Sequence, residues 1–135
     1  MATSHAPFPL RSILLFDAAA CLGMGALLVA LAGPLAGVMA LPAPLLFWAG
    51  MILFPVALFM GIVALWLPGN QPAVMLVILG NVLWVVASVA LLLGQVAPNV
   101  LGVIFVLGQA AFVGVLARLE QLALRAACSR QREAA

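Results

Sequence analysis

One acidic side chain, Asp17, lies inside an apolar run that extends from Ser12 to Ala32. An ionised carboxylate at the centre of a bilayer costs about 2.5–3.5 kcal/mol on insertion scales, so Asp17 needs a protein partner or a proton. In the functional interpretation, its carboxyl group binds a proton or a cation. In the structural interpretation, a hydrogen-bonded Asp17 fixes one helix against another. The sequence alone leaves both interpretations open.

A polar seam on another apolar run offers partners for this carboxyl group. Asn81, Ser88 and Gln95 recur every seven residues, a spacing that keeps side chains on one face of a helix. We expect Asn81 or Ser88 to hydrogen-bond to Asp17, either to join two helices or to line a path for a proton or a ligand. The full set of candidate site residues is Asp17, Asn81, Trp84, Ser88, Gln95 and Gln109.

The residue types needed for catalysis or for a cofactor are too few. The only histidine, His5, lies in the N-terminal tail, so histidine can neither activate a nucleophile nor bind haem within the apolar runs. Two cysteines, Cys21 and Cys128, do not provide a zinc or copper site. We therefore expect no enzyme activity, no cofactor and no metal.

The composition requires a membrane around the elements that position these residues. The 135 residues are 68% hydrophobic and 6% charged, and the mean hydropathy is +1.37, whereas soluble domains are about 25% charged. Four apolar runs, about 10–33, 44–67, 72–95 and 98–121, are long enough to cross a bilayer as helices. The sequence therefore predicts an all-α bundle of four transmembrane helices that forms a single integral membrane domain, 1–135.

The arginines define the orientation of this bundle. All five basic side chains are arginines, and they flank only the start of the first run and the end of the fourth. The positive-inside rule then places both termini in the cytoplasm, with 118–135 as a basic cytoplasmic tail. Arg118, Arg125 and Arg132 repeat every seven residues and suit anionic lipid headgroups. So few charges do not indicate a nucleic-acid partner.

Matching positions in the two halves of the chain predict an internal repeat. Asp17 aligns with Asn81 and Pro34 with Pro98, both at an offset of 64 residues, and the second and fourth runs align at an offset of 53. The prediction is a parallel two-plus-two repeat about an axis along the membrane normal. Asp17 and Asn81 would then lie at equal depth and face each other across the bundle.

The segments 79–84 (LGNVLW) and 15–19 (LFDAA) resemble small four-helix inner-membrane proteins of bacteria. This resemblance implies a bacterial inner-membrane location and the fold. The arrangement also resembles the small multidrug resistance transporters, which have an acidic residue in helix 1 and a tryptophan in helix 3, where this chain has Asp17 and Trp84. That family uses Glu in helix 1, and its dual-topology members have weak charge bias. Because the arginines here are on one side, we do not expect an antiparallel dimer.

Two main functions fit these features. The first is an accessory or scaffold subunit, or a homo-oligomer, that acts through helix–helix contacts without enzyme activity. The alternative is a small proton-coupled transporter or channel that uses Asp17, with Asn81 and Ser88 along the path and Trp84 at the substrate. A third possibility is a lipid or quinone in an apolar cleft between the second and fourth helices. The expected partners are membrane lipid and another membrane protein or a second copy.

Overall fold

The computed structural model describes residues 8–94 and 96–135, and these residues form five helices and no strands. Four of the helices are long and apolar enough to cross a membrane. The all-α fold and the number of spanning helices are as the sequence predicts, and the chain is a multi-pass membrane protein. The helices are α1 Leu10–Ala30, α2 Ala32–Met39, α3 Ala43–Trp66, α4 Gln71–Leu93 and α5 Val100–Ala134.

The short helix α2 differs from the sequence prediction. The sequence ends the first helix at 33 and gives the following connection no helix. In the structure, α1 ends at Ala30, Leu31 leaves the helical conformation, and α2 begins at Ala32. Pro34 therefore lies in the first turn of α2, where a missing N–H breaks no helical hydrogen bond. The helix ends at Met39, and the residue that caps it, Ala40, has a left-handed φ of 54°.

The fourth span and the basic tail form one helix. α5 continues from Val100 to Ala134 without a break, well past the expected end of the span near 121. Its later turns are not simply a solvated extension, because Ala123, Leu124 and Ala126 are buried. At this end of the bundle Gln71, the first residue of α4, donates to Sγ of Cys128 at 3.0 Å. The tail therefore begins as part of the core.

The long helices associate as two pairs. α1 packs along α3, which we call the first hairpin, and α4 packs along α5, which we call the second hairpin. The first hairpin crosses closest at Gly25 and Gly50: a Cβ at Gly50 would lie 2.9 Å from the Gly25 carbonyl oxygen and from Cβ of Leu28. Small residues at such a crossing let two backbones approach, which favours helix association in lipid.

The two hairpins meet mainly where α1 lies against α5, while α3 and α4 touch very little. One further junction closes the end of the bundle opposite the termini. Asn99 donates from its backbone N–H to the Met39 carbonyl at 3.2 Å and from Nδ2 to the Val38 carbonyl at 2.6 Å. Its Oδ1 accepts from the Gly102 N–H at 2.9 Å, so the same side chain caps α5. This residue ties the end of α2 to the start of α5.

The close crossing in the first hairpin makes a testable prediction. Gly50→Ala places a methyl group against Gly25 and Leu28, and such overpacking costs about 1–3 kcal/mol of unfolding free energy. Gly61→Ala is the matched control, because Gly61 is on the same helix with open space around it. Unfolding titrations in mixed micelles should show a loss only for Gly50→Ala. Equal stabilities of the two variants would contradict the close crossing.

A buried carboxyl pair beside a cavity

Three buried polar side chains meet where α1, α4 and α5 converge. Asn81 of α4 donates from Nδ2 to Oδ2 of Asp17 on α1 at 2.7 Å. The same nitrogen donates to Oε2 of Glu120 on α5 at 3.1 Å. Asp17 is 1% exposed, Asn81 4% and Glu120 0%. The bond to Asp17 therefore joins the first hairpin to the second, while the bond to Glu120 lies within the second hairpin; we call the two carboxyl groups the carboxyl pair.

The two carboxyl groups lie close to each other. Because both accept from one nitrogen, Oδ2 of Asp17 and Oε2 of Glu120 are no more than about 6 Å apart, a distance at which two buried negative charges repel strongly. On Asp17, Oδ1 also has a partner, the thiol of Cys21 at 3.8 Å. On Glu120, Oε1 is buried and receives no hydrogen bond from the part of the chain that the structure describes. Both carboxyl oxygens of Asp17 therefore accept a hydrogen bond, whereas only one of the two on Glu120 does so.

No basic side chain among the described residues is hydrogen-bonded to the carboxyl pair. Arg118, the nearest arginine on α5, is exposed and donates to Oε1 of Gln121 at 2.7 Å. The sequences of α2, α3 and α4 contain no ionisable residue. The negative charge of the pair must therefore be balanced by a proton, by neutral donors or by a ligand.

Glu120 is the residue of this site that the sequence analysis missed, because it counted residues 118–135 as a basic cytoplasmic tail. The signal was present in the local pattern. Side chains three and four positions away lie on the same helix face, and all four such neighbours of Glu120 are apolar and buried. A glutamate at the centre of an apolar stripe indicates a buried carboxyl group. The four neighbours are Leu116, Ala117, Ala123 and Leu124.

A cavity of about 580 Å³ lies between the two hairpins, and we call it the central cavity. Asp17 and Asn81 line it, whereas Glu120 does not. Its walls are largely apolar and include the aromatic rings of Phe105 and Phe112. A concave, mostly apolar space of this size with a few converging polar groups is typical of small-molecule sites.

Trp84 and Gln109 form a second polar contact at the wall of this cavity. Nε1 of Trp84 on α4 donates to Oε1 of Gln109 on α5 at 3.3 Å, within the second hairpin. Both residues line the central cavity. The indole ring therefore presents an aromatic surface to the cavity, while its N–H is already satisfied.

The remaining candidates lie apart from the carboxyl pair. Ser88 is buried, but its hydroxyl donates to the Trp84 carbonyl of its own helix at 2.8 Å and does not bridge two helices. Gln95 lies outside the described residues. The three tail arginines that repeat every seven residues are exposed, as a role at lipid headgroups requires, and they are Arg118, Arg125 and Arg132.

These features define a multi-pass membrane protein with a carboxyl pair between two helical hairpins, next to a central cavity. Comparisons of the chain with protein-family models, curated proteins and solved structures find no match.

The bridging amide leads to a second prediction. Asn81→Leu removes two hydrogen bonds from the carboxyl pair, and each buried bond to a charged group contributes about 1.5–3 kcal/mol in soluble proteins and less between membrane helices. We therefore expect a loss of about 2 kcal/mol in unfolding free energy. Ser88→Ala, which removes only a bond within α4, should cost below about 0.5 kcal/mol. Similar losses for both variants in a micellar unfolding titration would exclude a special role for the bridge.

Proposed function

We propose that this protein is a small proton-coupled transporter that binds an apolar compound with one basic group in the central cavity. The single observation that carries the proposal is that Asp17, an intramembrane carboxyl group, lines a cavity with aromatic walls. Intramembrane carboxyl groups mark ion and proton pathways far more often than chance. The carboxylate would pair with the basic group of the ligand, and the aromatic rings would pack against its apolar part.

The arrangement of the helices supports movement of one half of the protein against the other. Each hairpin is tightly packed within itself, while the contact between them is limited mainly to α1 against α5. The central cavity lies in the gap between them. In this proposal, the hairpins correspond to the two units of a parallel two-plus-two repeat, and small rigid-body movements would expose the site to each side in turn. Asp17 and Asn81, which the repeat aligns, are in direct contact.

The location belongs to the proposal as well. The proposed setting is the bacterial inner membrane, with both termini in the cytoplasm, because the arginines cluster at the ends of α1 and α5. The exposed arginines of the tail would contact anionic lipid headgroups. Trp48 and Trp66, at opposite ends of α3, are 63% and 73% exposed, which suits the two interfacial belts. No enzyme activity, cofactor or nucleic-acid partner is part of the proposal.

A second candidate is an accessory subunit or a homo-oligomer that acts by contact. The observation that favours it is the seclusion of Asp17, which is 1% exposed and has a partner on each oxygen. A carboxyl group with no task beyond packing would have this environment. The two candidates differ in whether the site at Asp17 exchanges a proton for a ligand in the central cavity.

The experiment uses (4-bromobenzyl)trimethylammonium, a permanently charged aromatic probe that crosses lipid poorly by itself. Proteoliposomes with pyranine inside report the internal pH. The transporter predicts that external probe enters in exchange for protons and raises the internal pH. Asp17→Asn should slow this response at least about tenfold, because it removes the carboxylate that pairs with the cation. Ser88→Ala is the control, since Ser88 lies outside the cavity lining.

Binding is measured in a separate experiment, in which the bromine atom of the probe quenches tryptophan fluorescence. The variant Trp84→Phe isolates the signal of the cavity. Neutral 4-bromotoluene serves as the matched ligand without charge. We expect wild type to prefer the cation and Asp17→Asn to lose that preference. A wild type that neither binds the cation nor changes the internal pH would contradict transport and leave the contact protein as the better account.

A further inference from the structure

Glu120 has no place in the transport step described above, although it is fully buried and touches the same amide as Asp17. Asp17 lines the central cavity, whereas Glu120 does not. One of its oxygens, Oε1, receives no hydrogen bond. A buried acceptor without a partner is costly, so its chemical state requires an explanation.

We propose that the carboxyl pair is a one-proton site, in which the proton resides on Glu120 and is donated to an ionised Asp17. The carboxyl groups of Asp17 and Glu120 accept from the same Asn81 nitrogen, so they lie side by side. While both groups are ionised, every oxygen in the pair is a hydrogen-bond acceptor, and neither carboxyl group can donate a hydrogen bond to the other. A single proton on Glu120 converts this repulsive contact into a hydrogen bond between an acid and its neighbouring carboxylate.

The donors around Asp17 agree with this assignment. Asp17 already accepts from the Asn81 amide and from the Cys21 thiol. With a protonated Glu120 as a further donor, neutral groups on α1, α4 and α5 stabilise one negative charge on Asp17. Glu120 accepts only from Asn81, so it is the weaker place for the charge. Buried carboxyl pairs elsewhere divide in the same way, with one member acid and the other ionised.

Within residues 8–94 and 96–135, the ionisable groups near the pair supply no alternative counter-charge. On α1 these are Cys21, which donates to Asp17, and Arg11, which is exposed at the helix start. On α5 the nearest is Arg118, which is exposed and bonded to Gln121. The helices α3 and α4 contribute no ionisable residue. A proton is therefore the positive charge that this site can hold.

A metal cation fits this position less well than a proton. Hard cations such as Ca²⁺ and Mg²⁺ take about six or more oxygen ligands. The pair offers four carboxyl oxygens, and the Asn81 amide nitrogen directs its donor hydrogens at two of them. An N–H group aimed at the centre of the site repels a cation.

The consequence for the central cavity is one negative charge at Asp17 while Glu120 holds the proton, and in the proposed exchange the bound cation displaces that proton from the carboxyl pair. Only the use of that charge by a ligand rests on the proposed function. The one-proton site itself exists whether or not a ligand binds. Failure of transport in the probe experiment would therefore not contradict the one-proton site. A different number of protons in the carboxyl pair would not contradict transport.

The test counts protonated carboxyl groups by infrared spectroscopy of the protein in lipid films at neutral pH. The C=O stretch of a buried protonated carboxyl group is separate from the bands of carboxylates and amides. Wild type should show one such group per chain. Side-chain ¹³C-labelled glutamate should shift the band, and ¹³C-labelled aspartate should leave it in place. This comparison needs no mutation, so loss of folding cannot obscure it.

Two isosteric variants complete the test. Glu120→Gln should remove the band entirely, because the remaining carboxylate of Asp17 keeps its donors Asn81 and Cys21. Asp17→Asn should leave the band in place, because a buried Glu120 without a counter-charge keeps its proton. Independent protonation of the two groups would give two bands in wild type and one in each variant, which would overturn the proposal. So would a wild type without any band, or a band that Na⁺ removes relative to N-methylglucamine, since the latter would indicate a sodium site.

Discussion

The interaction on which the structure depends is the hydrogen bonding of one amide to two carboxyl groups inside the membrane. Charge is costly in a medium of low dielectric constant, so a buried carboxylate persists only with donors or a counter-charge. Asn81 supplies the donors, and in doing so it connects α4 with α1 and α5. The polar contact therefore both offsets the cost of burying the carboxyl groups and sets the relative position of the two hairpins.

The packing of the rest of the fold also separates the molecule into two hairpins. Within the first hairpin, backbones touch at Gly25 and Gly50, where even a methyl group has no room. Between the hairpins the packing is looser and includes the central cavity. The Asn99 junction closes the opposite end of the bundle by bonding to α2. Close packing thus holds each half together along its length, and the contact between the halves is smaller and includes these polar bonds.

The sequence predicts much of this architecture because a bilayer imposes simple rules. The number of membrane-spanning helices and their approximate ends follow from the lengths of the apolar runs. The contact of Asp17 with Asn81 follows from the cost of a carboxylate without a partner. Glu120 escaped notice because the four arginines of residues 118–135 suggested a solvated tail, although its own helix face is apolar. The break at Leu31 and the helix α2 also could not be inferred, since Gly33-Pro34 is compatible both with a helix end and with a first helical turn. Ser88 shows that a seven-residue spacing identifies a face but not a hydrogen-bond partner.

The most direct measurement of the central interaction is a solid-state NMR dephasing experiment on the protein in lipid bilayers. Asparagine labelled with ¹⁵N at the side-chain amide is combined with side-chain carboxyl ¹³C in aspartate and glutamate, with Asn81→Leu used to assign the signal. Hydrogen bonds of ordinary length place the amide nitrogen within about 4 Å of the carboxyl carbons. The account predicts strong dephasing of the Asn81 nitrogen by both Asp17 and Glu120. Dephasing by neither carbon, or by Glu120 alone, would contradict the bridge between the hairpins, and dephasing by Asp17 alone would contradict the bond between Asn81 and Glu120.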